Sequence, residues 1–322
     1  MTLQNICILG GGGFVGHHLA ALLVERGLNV RIPTRRRDAV KDLSVLPTVE
    51  IIETDIHNPA SLNGLFDGMD AVINLVGLLH ESGACHGDSA QAQRGSFQHA
   101  HVELPRKVVQ ACKESGVRRL IHMSALGAET ASKSAYQRTK AAGEALVMQS
   151  ELDATVFRPS VIFGPGDSFL TMFADLLKLA PAVPLAGGNA RFQPVFVGDV
   201  VRAFADALKL PESIGQRYNL CGPTVYTLAE LVRLTAASLD MQRLILPLGP
   251  TRSYWFARLM ELKPGAKIMT RDNYYAMLTD NVCPDGFPAL FGQATALESV
   301  IGYLKETNPR SSYTSYRATA GR

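Results

Sequence analysis

The chain has 322 residues, 47% hydrophobic and 19% charged, with a formal net charge of +3. That length and apolar content suit one large or two small globular domains with a real core, and so weak a charge excludes a surface built for nucleic acid. The five cysteines (Cys7, Cys85, Cys112, Cys221, Cys283) are scattered, odd in number and without a C-x-x-C pair; they read as reduced, mostly buried thiols of a cytosolic protein.

A strand that starts within the first few residues leaves no room for a signal peptide. No apolar stretch reaches the length of a membrane span. The first element is the apolar run Ile6-Cys7-Ile8-Leu9, which meets Gly10-Gly11-Gly12-Gly13, with Gly16 beyond. Gly11, Gly13 and Gly16 fit G-x-G-x-x-G; Gly10, Gly13 and Gly16 fit G-x-x-G-x-x-G. Both registers predict a dinucleotide, because a helix from Phe14 to about Arg26 and a strand at Val30–Ile32 follow. Glycines let the backbone approach a pyrophosphate, and the N–H groups at the helix start face the anion. Gly10, Gly13, Phe14, Val15 and Gly16 are therefore cofactor-binding candidates.

The second strand ends in Ile32-Pro33-Thr34-Arg35-Arg36-Arg37-Asp38. An acid at the strand end would take the ribose 2′-hydroxyl of NAD. Three arginines stand there instead, and a guanidinium pairs bidentately with a 2′-phosphate. The expected cofactor is NADP(H) rather than NAD(H), with Arg35 and Arg36 as contacts. The bland alternative is a solvated, charged loop.

Further strand-like runs lie at 49–53, 71–75, 119–123 and 154–157, with helical patterns at 102–115 and 135–148. This alternation predicts an α/β fold, a doubly wound parallel sheet of Rossmann type. After Arg158 proline and glycine punctuate the pattern. A strand at 195–197, a helix at 199–210, a strand at 217–220, and helices near 228–239 and 294–304 are expected. The organisation predicted is a dinucleotide-binding domain over 1–158, with 190–222 returning to it. A smaller, mostly helical C-terminal lobe takes 159–189 and 223–305, and 306–322 is a flexible tail.

The second chemical signal is Tyr136 with Lys140, four apart on one helix face. An ammonium beside a phenol favours the phenolate and makes a proton donor or acceptor for a carbonyl or alcohol. Ser124 ends the preceding strand and can hydrogen-bond the same oxygen. Weaker signals are the polar stretch His80, Glu81, Cys85, His86, Asp88, His99 and His101, whose spacing matches no zinc pattern and which reads as a loop beside the site. Arg191 stands where sugar-nucleotide enzymes use an arginine on phosphate, and reads equally as a solvated turn residue. Tyr254-Trp255-Phe256 with Leu259 and Met260 reads first as core packing, with an apolar pocket or a membrane contact as alternatives.

Together these residues resemble the short-chain dehydrogenase/reductase superfamily in its extended or atypical, epimerase/dehydratase-like form, over about residues 4–305. Gly10, Gly13 and Gly16 match the extended register. The resemblance implies that Asp55-Ile56 meets adenine and that Leu75-Val76-Gly77 is the loop after the fourth strand. It also implies that Pro159 and Val161, in Arg158-Pro159-Ser160-Val161-Ile162-Phe163-Gly164-Pro165, lie beneath the nicotinamide. Val197-Gly198-Asp199-Val200 looks like the family's V-x-D-V. Lys140 would hold the ribose and tune Tyr136. Extended members often place an asparagine where this chain has His101, which is carried as a fourth catalytic candidate. Leu120–Ala128, Gln193–Val197, Thr270-Arg271-Asp272-Asn273 and Thr279-Asp280-Asn281-Val282 resemble the branch containing the nucleotide-binding accessory subunit of respiratory complex I and its bacterial relatives. The resemblance implies an oxidoreductase acting on a carbonyl, alcohol or quinone-related substrate, or else a nucleotide-binding scaffold or assembly factor; a sugar-nucleotide epimerase or dehydratase is the third reading. The expected place is the cytoplasm, with peripheral membrane or respiratory-complex association allowed for.

Overall fold

Short apolar runs that are continuous rather than alternating become strands buried on both faces, as a parallel sheet requires. In the computed structural model, which describes residues 3–81, 95–261 and 269–305, the strands are β1 (Asn5–Leu9), β2 (Asn29–Thr34), β3 (Val49–Glu53), β4 (Ala71–Asn74), β5 (Arg119–Met123), β6 (Asp153–Pro159) and β7 (Gln216–Leu220). They form one seven-stranded sheet in the order β7-β6-β5-β4-β1-β2-β3, parallel throughout.

Alternate residues of one strand feed two cores. Ile6 and Ile8 of β1 join α1 (Phe14–Glu25) through Val15, Leu19 and Leu23, together with Val200 and Phe204 of a later helix. Cys7 and Leu9 face the opposite way, toward Leu62 and Phe66 of α2 (Pro59–Phe66) and Leu104 and Val108 of α3 (Leu104–Glu114). Chain order reverses between β1 and β4, so a crevice opens there at the carboxyl edge of the sheet, the place where such folds take ligands.

The remaining helices are α4 (Ala135–Met148), α5 (Phe169–Leu179), α6 (Val197–Ala207), α7 (Leu228–Ser238), α8 (Pro250–Glu261) and α9 (Arg271–Ala276). A separate apolar cluster, with Phe163, Leu170, Phe173, Leu177, Leu231 and Val232 among its members, lies beside the sheet. It includes a two-stranded parallel pair, 182–185 with 244–247, that period counting missed.

Several expectations are corrected. Val195–Phe196 is only a two-residue strand, paired with Ile162–Phe163, because Val197 already starts α6. The helix expected at 294–304 is a four-residue turn, Leu297–Val300, continued by the 3-10 stretch Ile301–Lys305. The helix expected from 102 opens instead with a π-turn, His99–Glu103. Trp255 and Leu259 are not core residues: they are 58% and 59% exposed, and α8 buries Ser253 and Ala257 instead. The cysteine expectation fails for one pair. Cys221 and Cys283 are joined as a disulfide with Cα atoms 6.1 Å apart. The buried Gln193 side chain gathers both stretches, donating to Gly222 O at 2.7 Å and accepting from Cys283 N at 2.9 Å. Cys7 and Cys112 are free and buried. Cys85, His86, Asp88 and the tail at 306–322 lie outside the described residues.

Candidate active site

The glycine run is shaped by contacts that leave no room for side chains. Gly10 has φ +83°, a conformation glycine adopts without strain, and its carbonyl accepts from Gly13 N at 2.9 Å. A Cβ on Gly16 would stand 2.4 Å from Gly10 O and 2.6 Å from Gly11 Cα. One on Gly10 would stand 3.2 Å from Val76 N, so the turn lies against the loop after β4. Gly13 caps α1 without a side-chain bond, and the helix has no acid in its first turn. The N–H groups at that end thus face the crevice without a competing carboxylate. A Cβ on Gly166 would meet Phe14 at 3.7 Å, which brings the chain after β6 across to the same turn.

Thr34 organises the end of β2: its hydroxyl donates to Arg36 O and accepts from Arg36 N, at 3.1 and 3.2 Å. The exposed guanidinium groups of Arg35 and Arg36 make no ion pair among the described residues, whereas Arg37 turns back to donate to Ile51 O at 3.1 Å. Asp55 and Ile56 follow β3, where Asp55 accepts from His57 N at 3.1 Å. Pro159 and Val161 are tied by their backbone to neighbouring segments. The Pro159 carbonyl accepts from Leu126 N at 3.0 Å, and that of Val161 from Val195 N at 2.9 Å.

The second half of the site gathers at the ends of β4 and β5. Lys140, buried on α4, donates to Met123 O at 3.1 Å, one residue before Ser124. A Cβ on Gly77 would stand 2.9 Å from the Lys140 ammonium and 3.7 Å from His101 Nε2, so the strand-four loop, Lys140 and His101 meet. Ser124 is 3% exposed and its hydroxyl, buried, has no partner. Tyr136 is half-buried, with its ring edge-on to His101 and Phe97 at 5.4 and 5.8 Å.

Sequence reasoning expected Lys140 to lower the Tyr136 phenol. The geometry does the reverse: burial and the neighbouring Asp272 carboxylate push it up to about 12. Lys140 directs one of its three N–H donors at the Met123 carbonyl, and its own burial lowers it to about 8.

His101 has both ring nitrogens committed. Nε2 accepts from Leu78 N at 3.0 Å, so Nδ1 carries the proton and faces Thr139 Oγ1 at 3.0 Å. Thr139 in turn donates to Ala135 O at 2.8 Å. Burial, then the Lys140 and His122 charges, hold His101 neutral, its ring lowered to about 2. A Cβ on Gly143 would stand 1.8 Å from His101 O, so only glycine lets α4 lie against the π-turn.

Several residues escaped the sequence reading. Asn74 accepts from Val76 N at 3.1 Å and so presents its amide to His122 Nδ1 at 3.2 Å, beneath the strand-four loop. Gly143 carried no signal beyond its place on a helix. Asp272 sat inside a stretch noted only for resemblance. Arg191, in contrast, pairs with Asp280 at 3.6 Å on the surface.

These residues fit a dinucleotide. The crowded glycine turn lies against the strand-four loop, which meets Lys140 and His101 in turn; Arg35 and Arg36 follow the neighbouring strand β2, and the orphaned Ser124 hydroxyl follows the carbonyl that Lys140 binds. A model of the NAD dependent epimerase/dehydratase family matches residues 6–221. The chain is 31% identical over 289 residues to the mitochondrial NADH dehydrogenase [ubiquinone] 1 alpha subcomplex subunit 9 of Mus musculus, covering 88% of this chain and 74% of that protein. It is 28% identical over 206 residues to a ceramide reductase of Caulobacter vibrioides, covering 64% of this chain and 61% of that protein. In structure it is similar to a nucleoside-diphosphate-sugar epimerase from Staphylococcus aureus, with a TM-score of 0.72 and 20% identity over 93% of this chain and 100% of that one. That likeness is one of fold.

Proposed function

The chain belongs to the NAD dependent epimerase/dehydratase family, and we propose that it is an NADP(H)-binding oxidoreductase acting on a carbonyl, alcohol or quinone-related substrate. The observation that carries the reading is the buried, unpartnered hydroxyl of Ser124, one residue from the carbonyl that anchors Lys140. A buried hydroxyl without a partner is costly to keep, and a substrate oxygen would satisfy it.

In this reading Gly10, Gly13, Gly16 and the start of α1 hold the pyrophosphate, Arg35 and Arg36 the 2′-phosphate, and Asp55 and Ile56 border the adenine. Leu75, Val76, Gly77, Pro159 and Val161 wall the crevice toward the nicotinamide, whose chemistry is hydride transfer. Tyr136, with its phenol at about 12, keeps its proton at neutral pH. It is therefore set to donate to a substrate oxygen, the direction of reduction. Lys140 holds the ribose hydroxyls, and Ser124 orients the substrate. His101 positions the strand-four loop against α4; its Nε2 faces a backbone N–H, which does not give up a proton, so the ring serves in place rather than as a relay.

A second reading has its own support: a nucleotide-binding scaffold associated with a respiratory complex. The identity to a complex I subunit over 88% of the chain favours it. No helix among the described residues is long and apolar enough to cross a membrane, which leaves a peripheral contact open to this reading.

Tyr136→Phe separates the first two. For an enzyme, NADPH oxidation with a carbonyl or quinone acceptor falls about 100-fold or more while NADPH affinity stays within about twofold. A protein that binds NADPH but oxidises it with no such acceptor is the scaffold.

A further inference from the structure

The stretch from Thr270 to Cys283 runs along the catalytic half of the site, and three side-chain attachments hold it there. At one end Cys283 is joined to Cys221. Further back, Asn281 Oδ1 accepts from Ser160 Oγ at 2.5 Å, and its amide donates to Leu126 O at 3.4 Å. At the other end stands Asp272, on a turn fixed by the reciprocal caps of Thr270 and Asn273.

Asp272 meets a need that α4 cannot meet itself. The first N–H groups of a helix have no partner within it. Ser134 caps α4 and accepts from Gln137 N at 3.3 Å, but the first turn of α4 contains no acidic residue. Asp272 supplies one from far along the chain. Its Oδ1 accepts from Ala135 N at 2.6 Å, and its Oδ2 accepts from Ser134 Oγ at 2.8 Å and from Tyr136 N at 3.3 Å. A carboxylate at a helix start is favoured by the N–H groups and by the helix dipole. The residue that carries the reactive phenol is thus gripped by its own backbone.

We propose that Asp272 is the positioning residue of the site: it fixes the first turn of α4, and so the placement of the Tyr136 phenol against His101 and Phe97. The proposal rests on the reading of Tyr136 as proton donor. It also gives a physical reason for a stretch that the sequence offered only as a likeness. Through Asp272, any shift of the 270–283 segment reaches the reacting group.

Two variants test it. Asp272→Ala removes every acceptor, and hydrogen exchange of the Ala135 and Tyr136 amides should quicken about tenfold, with the strands unchanged. Asp272→Asn keeps an oxygen for Ala135 N–H but loses the charge. Exchange of the Ala135 amide should stay close to that of the parent and that of Tyr136 should quicken, because the new Nδ2 cannot accept, while the alkaline limb of NADPH oxidation moves to lower pH, because a negative charge that raises the phenol is gone. A purely structural cap would leave that limb in place. Unchanged amide exchange in Asp272→Ala, or an unmoved alkaline limb in Asp272→Asn, would overturn the proposal. Absence of turnover in the parent would sink the proton-donor reading alone, and the exchange measurement would then decide whether Asp272 holds the turn.

Discussion

The two ends of the crevice are held in place by different physics. At the glycine end the constraint is steric and local: Gly10, Gly13 and Gly16 press on one another's backbone within a single strand–turn–helix. At the tyrosine end the constraint is assembled from distant pieces. The β4 loop, the π-turn, β5, α4 and the 270–283 segment each contribute polar contacts or a close approach. A local steric constraint has one solution and tolerates nothing else. An assembled one can be loosened piece by piece, which suits the end to which the proposed chemistry falls.

The sharpest attempt to break this contrast uses one substitution at three glycines. Gly16→Ala drives a Cβ to 2.4 Å from a backbone oxygen, and Gly143→Ala to 1.8 Å from the His101 carbonyl. Backbone cannot swing aside as a side chain can, so each should cost more than about 3 kcal/mol. Gly64→Ala in α2 meets nothing within 4 Å and should stabilise by up to about 1 kcal/mol through helix propensity alone. Urea midpoints at constant slope report all three. If Gly143→Ala is tolerated as Gly64→Ala is, the tyrosine end has no steric element and the contrast is even stronger than drawn.

This division also governs what could be read from the amino-acid order. The glycine turn, the alternation of strands and helices, and the Ser124, Tyr136, Lys140 set are short-range patterns, and the fold brings the last three to neighbouring ends of β5 and α4. Asp272, the Cys221–Cys283 pair and the Asn74–His122 contact depend on where the chain returns after long excursions, and no spacing rule records that. The π-turn at 99–103 has the same residues a regular helix would have. Within it His101 reaches both Leu78 and Thr139. The raised phenol of Tyr136 was missed for a related reason. The spacing of Tyr136 and Lys140 fixes a shared helix face, but the direction of the ammonium is set by the end of β5.

A second prediction sharpens the assembled end through pH. His122 is buried and lowered to about 3, first by burial and then by the Lys140 charge; His101 is lowered to about 2. In the unfolded chain both take up protons below about 6.5. The folded state refuses them, so the unfolded state binds more protons and stability falls as pH drops from about 6.5 toward 3. Each histidine contributes about 1.4 kcal/mol per pH unit. His122→Gln should remove about that much from the slope of unfolding free energy between pH 6 and 4.5, at some cost in stability at pH 7 where its contact with Asn74 is disturbed. An unchanged slope would mean that His122 can be charged in place, and that the polar contacts at this end are looser than the geometry indicates.

The smallest expected effect tests whether the glycine end has any side-chain recognition at all. Arg35 and Arg36 are exposed and free of ion pairs among the described residues, at the end of a strand with no carboxylate. In the arrangement proposed they add a charge-assisted grip on a 2′-phosphate. Because that grip is solvated, it is worth less than a buried pair and is weakened by salt. Arg35→Ala with Arg36→Ala should raise the dissociation constant for NADPH about tenfold, or roughly 1.4 kcal/mol, and leave that for NADH nearly unchanged. Raising the salt concentration should shrink the parent's preference for NADPH and leave the double variant indifferent. Equal affinities of the parent for the two cofactors would sink the 2′-phosphate assignment. The glycine end would then be held by backbone alone, and any selectivity for cofactor would have to come from elsewhere along the crevice.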